Sequence, residues 1–183
     1  MIEFKKWLFV ESKHDLNYYM NNIENLANKL IQFEDDEDTV IHSKNEAIKR
    51  MKDMFSDISN NIHNGEMVIY RKMAVREDWL DWIQTKGENT RVGIYWSYNK
   101  GSVGTYGSSS NPKDSDIDII LTAKVNIKHI NWDHIIGLMV EVNSLYVKEK
   151  EITLYKNTPL NIISIEQNGE IICDDCENIV VKS

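Results

Sequence analysis

The periodicity of the chain changes at Asn64-Gly65, and that change limits the folds open to it. Before this pair, apolar residues recur at helical spacing. Leu16, Met20, Ile23, Ala27, Leu30 and Ile31 would form one stripe on a helix over about residues 13–33. Ala47, Ile48, Met51, Phe55, Ile58 and Ile62 would form a second. Ser43-Lys44-Asn45-Glu46 opens this second helix as a capping box, in which a hydroxyl and a carboxylate satisfy free backbone amides. Asn64-Gly65 closes it in a turn. Beyond the turn, short β-prone runs take over at residues 67–70, 92–97, 117–125, 149–154, 160–165, 170–173 and 179–181. Helical spacing returns only over 77–84 and 132–142. Helices first and strands afterwards predict an α+β chain, with a helical layer over 1–65 and an antiparallel or mixed sheet core over 66–183.

With 183 residues, 42% of them hydrophobic, the chain has material for a substantial core. Its formal net charge of −8 opposes bulk electrostatic binding to DNA or to an anionic membrane. A small basic pocket that grips a phosphate is compatible with that charge. No apolar run approaches membrane-helix length, and the tract over residues 1–10 is too short for a signal peptide. Cytoplasmic residence with no membrane partner is the expectation. Cys173 and Cys176 form a C-x-x-C around two aspartates, and no second pair or histidine completes a set of four zinc ligands. The aspartates disfavour the thiolate, so reduced, non-functional thiols are expected. The run Glu34-Asp35-Asp36-Glu37-Asp38 lacks the glycine and ligand spacing of a calcium loop and reads as a solvated linker.

Three separated segments carry the chemistry. Glu149-Lys150-Glu151-Ile152-Thr153-Leu154 reads as a strand whose two carboxylates project to one face while Ile152 and Leu154 bury on the other. Adjacent carboxylates on one face repel, which suits either a solvated edge strand with protective charges or a chemical site. Tyr70-Arg71 ends an early strand, and Tyr95-Trp96-Ser97 lies in a later one. Taken singly, Arg71 is an ordinary strand-end arginine and Ser97 a turn serine.

Together these segments resemble the R-S-E class of NAD-dependent ADP-ribosyltransferases, the superfamily of cholera-toxin-like and clostridial binary toxins and of many phage and bacterial enzymes. That class has an arginine at the end of an early strand, often as Tyr-Arg, a strand serine, frequently as Tyr-Trp-Ser, and an E-x-E motif before a hydrophobic strand. Ile130-Asn131-Trp132-Asp133 is similar to the Val-Asp-Trp-Glu often found ahead of E-x-E in phage-type members. The resemblance covers about residues 67–166, with the motifs in the family's order. Two departures stand out. Lys72 occupies a position where many members have glycine, and Ser-Thr-Ser is reduced to Ser97-Tyr98-Asn99.

The resemblance implies a two-sheet core in a catalytic region over 66–183, NAD as substrate and no metal. It implies that Arg71 anchors the dinucleotide phosphate through its planar charged fork. Trp96 and Ser97 would complete the NAD site, with the Ser97 hydroxyl orienting Glu151. Glu151 would stabilise the oxocarbenium-like transition state formed as nicotinamide leaves, and Glu149 would prepare the accepting nucleophile. The loop over 143–148 would choose the acceptor, with Tyr146 in contact. The acceptor is a protein side chain, arginine among the options, or a nucleic acid base. An intracellular toxin with a neutralising antitoxin, or a phage-encoded modifier, suits such an activity.

A rival pattern shares the chain. Gly107-Ser108 followed by Asp116-Ile117-Asp118 is similar to the signature of DNA-polymerase-beta-like nucleotidyltransferases, where paired aspartates bind magnesium. Only residues 109–115 separate its halves, and Pro112 discourages a helix between them. The same residues also read as a loop entering a strand with two solvent-facing aspartates. A third reading is a non-catalytic binding module, in which Ser97-Tyr98-Asn99 has lost NAD.

Overall fold

The structure, a computed structural model, describes residues 14–30, 43–86, 90–103, 117–141, 150–174, 176 and 179–183. It is mixed α+β, with helices α1 Leu16–Asn21, α2 Ile23–Leu30, α3 Lys44–Asn60, α4 Glu77–Lys86 and α5 Trp132–Glu141. Its strands are β1 Ile62–His63, β2 Glu66–Val75, β3 Tyr95–Ser97, β4 Ile117–Asn126, β5 Glu151–Thr153, β6 Pro159–Gln167, β7 Glu170–Asp174 and β8 Val180–Lys182. The described residues fall into two compact units. One holds α1, α2, α3 and α5; the other holds α4 and the strands.

In the helical unit, the single helix expected over 13–33 is two helices among its described residues. The break falls at Asn22, whose backbone N–H donates to the carbonyls of both Tyr18 and Tyr19 at 3.1 Å. Asp15 starts α1 by accepting from the Tyr18 N–H at 2.8 Å. Helix α3 begins as its sequence indicates, with Ser43 Oγ accepting from the Glu46 N–H at 3.2 Å. Replacing that cap by Ser43→Ala is expected to cost about 1 kcal/mol of stability in urea unfolding. Leu26, Ala27 and Leu30 of α2 and Ala47, Met51, Phe55 and Ile58 of α3 are buried where the two helices meet. Helix α5 groups with these helices rather than with the strands that flank it in sequence. Asp133 on α5 accepts from Tyr19 Oη and lies 3.0 Å from His14 Nδ1. The acidic run at 34–38 lies outside the described residues.

In the strand unit, Asn64 and Gly65 take φ of 53° and 78° and form a two-residue hairpin between paired His63 and Glu66. Glycine and asparagine tolerate that left-handed backbone. Strand β2 then pairs antiparallel with β4 along its whole length, from Glu66↔Asn126 to Val75↔Ile117. Arg71 therefore sits in mid-strand and not at the strand end expected, because the β4 ladder continues past it. Met67, Ile69 and Val75 of β2 and Ile119, Leu121, Ala123 and Val125 of β4 are buried on one face.

The strands run in the order β5-β3-β2-β4-β6-β7, with β1 on β2 and β8 on β6. They form one sheet, where two were expected. Its parts are nevertheless joined narrowly, since β3 meets β2 in register only at Tyr70↔Ser97. Strand β8 lies along the start of β6 and also bridges Arg91; the Val92 N–H donates to the Lys182 carbonyl and the Lys182 N–H to Thr90, both at 2.8 Å. Cys173 and Cys176, expected as free thiols, are joined in a disulfide with their Cα atoms 6.0 Å apart. That separation lies within the usual bridging range. No helix among the described residues is long and apolar enough to cross a membrane.

Candidate active site

The narrow joint of the sheet is where the sequence motifs converge. Residues directly paired across strands point to the same face. Tyr70 pairs with Ser97, and Ser97 pairs with Glu151, so three distant segments form one row across β2, β3 and β5. Tyr70, Arg71, Lys72, Tyr95, Trp96, Ser97, Val103 and Glu151 line a shallow cleft there. Its accessible interior is about 10 Å³, room for a single water.

Arg71 follows Tyr70, so its Cβ leaves β2 on the opposite face, beside the buried Ile69 and Leu121. Its guanidinium ends at β3. Nη1 donates to the Tyr95 carbonyl, while Nε is buried with no hydrogen-bond partner among the described residues. Burial lowers the guanidinium pKa from its ordinary value, and the nearby Glu151 carboxylate opposes that shift. A half-buried cation with an unmet donor is a natural seat for an anion.

Strand β5 begins at Glu151, later than the strand start expected at 149. Lys150 stands in a turn with φ 47°, a left-handed backbone. The Lys150 carbonyl accepts from the Tyr98 N–H at 3.0 Å, which ties this turn to the end of β3. Glu151 is half-buried, and its Oε1 accepts from Thr153 Oγ1 at 3.4 Å. Glu149 and Tyr146 lie outside the described residues.

Ser97 is 3% exposed. Its hydroxyl donates to the Asn99 carbonyl at 2.9 Å and accepts from the Asn99 N–H at 3.0 Å, closing the turn after β3. Its nearness to Glu151 comes from backbone register. Trp96, expected at the NAD site, is 2% exposed and pairs in register with the buried Ile152. Its Nε1 donates to the Gly93 carbonyl at 2.9 Å, so its ring braces the strand from the core side.

Lys72, where many R-S-E members have glycine, reaches Asp118 at 2.8 Å. Of the rival pair, Asp118 is thus engaged by a cation; Asp116, Gly107 and Ser108 lie outside the described residues. Gly93 is the residue that motif reading overlooked. It takes φ +83°, and a Cβ there would stand 2.8 Å from Arg71 Nη2. A glycine inside the β-prone run Val92-Gly93-Ile94 was the available signal, since glycine within a strand marks a bulge or a close backbone approach. The chain matches no protein-family model, no curated protein and no solved structure.

Proposed function

We propose that the chain is a mono-ADP-ribosyltransferase of the R-S-E type, which cleaves NAD between nicotinamide and ribose and transfers ADP-ribose to a macromolecule. The observation that carries the reading is the convergence of Arg71, Ser97 and Glu151, from three strands, on one cleft. The Arg71 guanidinium would hold a phosphate oxygen of NAD. The cleft is too shallow to enclose a dinucleotide, so NAD lies across its mouth. Glu151 sits close enough to Arg71 to be felt electrostatically and supplies the negative charge that a ribosyl cation needs. As the glycosidic bond breaks, nicotinamide leaves with the bonding electron pair. The acceptor then bonds to the ribose anomeric carbon and gives up its proton to Glu149.

The test is incubation of purified protein and whole-cell lysate with NAD labelled in its ADP-ribose half, followed by separate protease and nuclease digestion. Label that one digestion releases and the other leaves in place supports the reading and names the acceptor class. Absence of NAD binding at millimolar concentration, together with magnesium-dependent binding of a nucleoside triphosphate, would transfer the chain to the nucleotidyltransferases.

A further inference from the structure

We infer that Gly93 is a positioning residue: the missing side chain there gives the Arg71 guanidinium the space from which it reaches its anion. This rests on the ADP-ribosyltransferase reading for its functional consequence, though the packing does not depend on that reading. Three contacts define the place. The Gly93 Cα abuts the guanidinium, so that an added Cβ would lie 2.8 Å from Nη2, 3.1 Å from Cζ and 3.4 Å from Nη1. Tyr95, two residues on, offers its carbonyl to Nη1. The Trp96 indole N–H donates to the Gly93 carbonyl at 2.9 Å.

The main chain on both sides of Gly93 is pinned. The Val92 N–H donates to the Lys182 carbonyl at 2.8 Å, and the Ile94 carbonyl accepts from the Leu154 N–H at 2.9 Å. When a methyl group is placed at position 93, the bracket is therefore held by β8 and by the chain leaving β5. The arginine tip, at the end of a flexible stem, is what gives way. Displacement removes the guanidinium from the Tyr95 carbonyl and moves its buried Nε relative to Glu151. A shift of this kind weakens a charge-assisted contact without opening the core.

The positive φ of Gly93 means that any side chain there also strains the backbone. A matched control separates the two effects. Gly169 has φ +85°, and a Cβ there meets nothing within 4 Å among the described residues. Gly169→Ala therefore carries comparable backbone strain with no arginine in its way.

The experiment measures the NAD dissociation constant and melting temperature of the wild-type chain, Gly93→Ala, Gly169→Ala, Arg71→Lys and the double variant Arg71→Lys/Gly93→Ala. Gly93→Ala should weaken NAD about tenfold or more, the scale of one lost charge-assisted hydrogen bond. Gly169→Ala should show a similar fall in melting temperature and unchanged NAD affinity. In the Arg71→Lys background, where no Nη2 remains to collide, Gly93→Ala should cost no further affinity. Wild-type affinity in Gly93→Ala overturns the inference, as does a further tenfold loss in the double variant. Should the wild-type chain itself fail to bind NAD, the transferase reading falls, and phenylglyoxal modification of Arg71, followed by mass spectrometry, still decides the positioning. Faster modification in Gly93→Ala than in the wild-type chain and Gly169→Ala supports it, and equal rates overturn it.

Discussion

Glu151→Gln is expected to depress both ADP-ribose transfer and NAD hydrolysis by about 10²-fold or more, the loss typical of removing one electrostatic stabiliser. Glutamine keeps the shape of the side chain and can still accept from Thr153 Oγ1, so β5 should pair with β3 as before. What disappears is the charge beside the developing ribosyl cation. Because both reactions pass through that cation, both should fall together. The contrast is Glu149→Gln, which should cripple transfer and spare much of the hydrolysis, since water needs less activation once the cation has formed. Nicotinamide release and labelled-acceptor formation, measured on the same preparations, separate the two. Full activity in Glu151→Gln would remove the R-S-E assignment altogether. Equal loss of both activities in Glu149→Gln would show that the glutamates divide their roles differently.

The second large effect is expected at Arg71. Arg71→Met should weaken NAD by about 10²-fold, as two charge-assisted phosphate contacts of roughly 1.5–3 kcal/mol each, partly replaced by water, would give. The fold should not suffer. Burial opposes the charge at this position more than Glu151 favours it, and methionine fills the volume of the arginine stem among Ile69 and Leu121. Urea unfolding of the variant should give a stability equal to or above that of the wild-type chain. Wild-type NAD affinity with a stability loss beyond about 2 kcal/mol, the cost of an unfilled core site, would make Arg71 a structural residue instead. The opposed movement of stability and affinity is the signature of a group placed for a ligand.

The elements most open to reading were those with a regular apolar pattern. Alternation along 117–125 marked β4, and the stripe of Met51, Phe55 and Ile58 marked α3, because burial of one face enforces those periods. The sequence pattern ends β2 at Tyr70, because a charged Arg71 occupies a face otherwise taken by Met67, Ile69, Met73 and Val75. Only the β4 partner shows that the strand runs on. The left-handed turn at Lys150 left no trace in residue type, as lysine is not a residue that turn chemistry favours. The disulfide and the return of β8 beside β6 depend on how separated strands close on one another, which local pattern does not encode. At the site, residue types sufficed to nominate Arg71, Ser97 and Glu151. They did not foretell that the Ser97 hydroxyl would close a turn with Asn99, or that Trp96 would brace a glycine.

The single register pair between β2 and β3 sets an energetic boundary through the sheet. Parting β3 from β2 breaks that one register pair and the Arg71 bond to the Tyr95 carbonyl, whereas parting β2 from β4 breaks a ladder ten residues long. The ladder is therefore thin beside the row of Tyr70, Ser97 and Glu151, which favours local opening there. Arg71 is rooted in the stable half and Glu151 in the detachable one. A ligand spanning both would staple the halves, so that its binding energy also adds to the protection of β3 and β5 against unfolding. Ligand affinity and the stability of this joint are then linked, and both can be adjusted at two residues with the hydrophobic core left as it is.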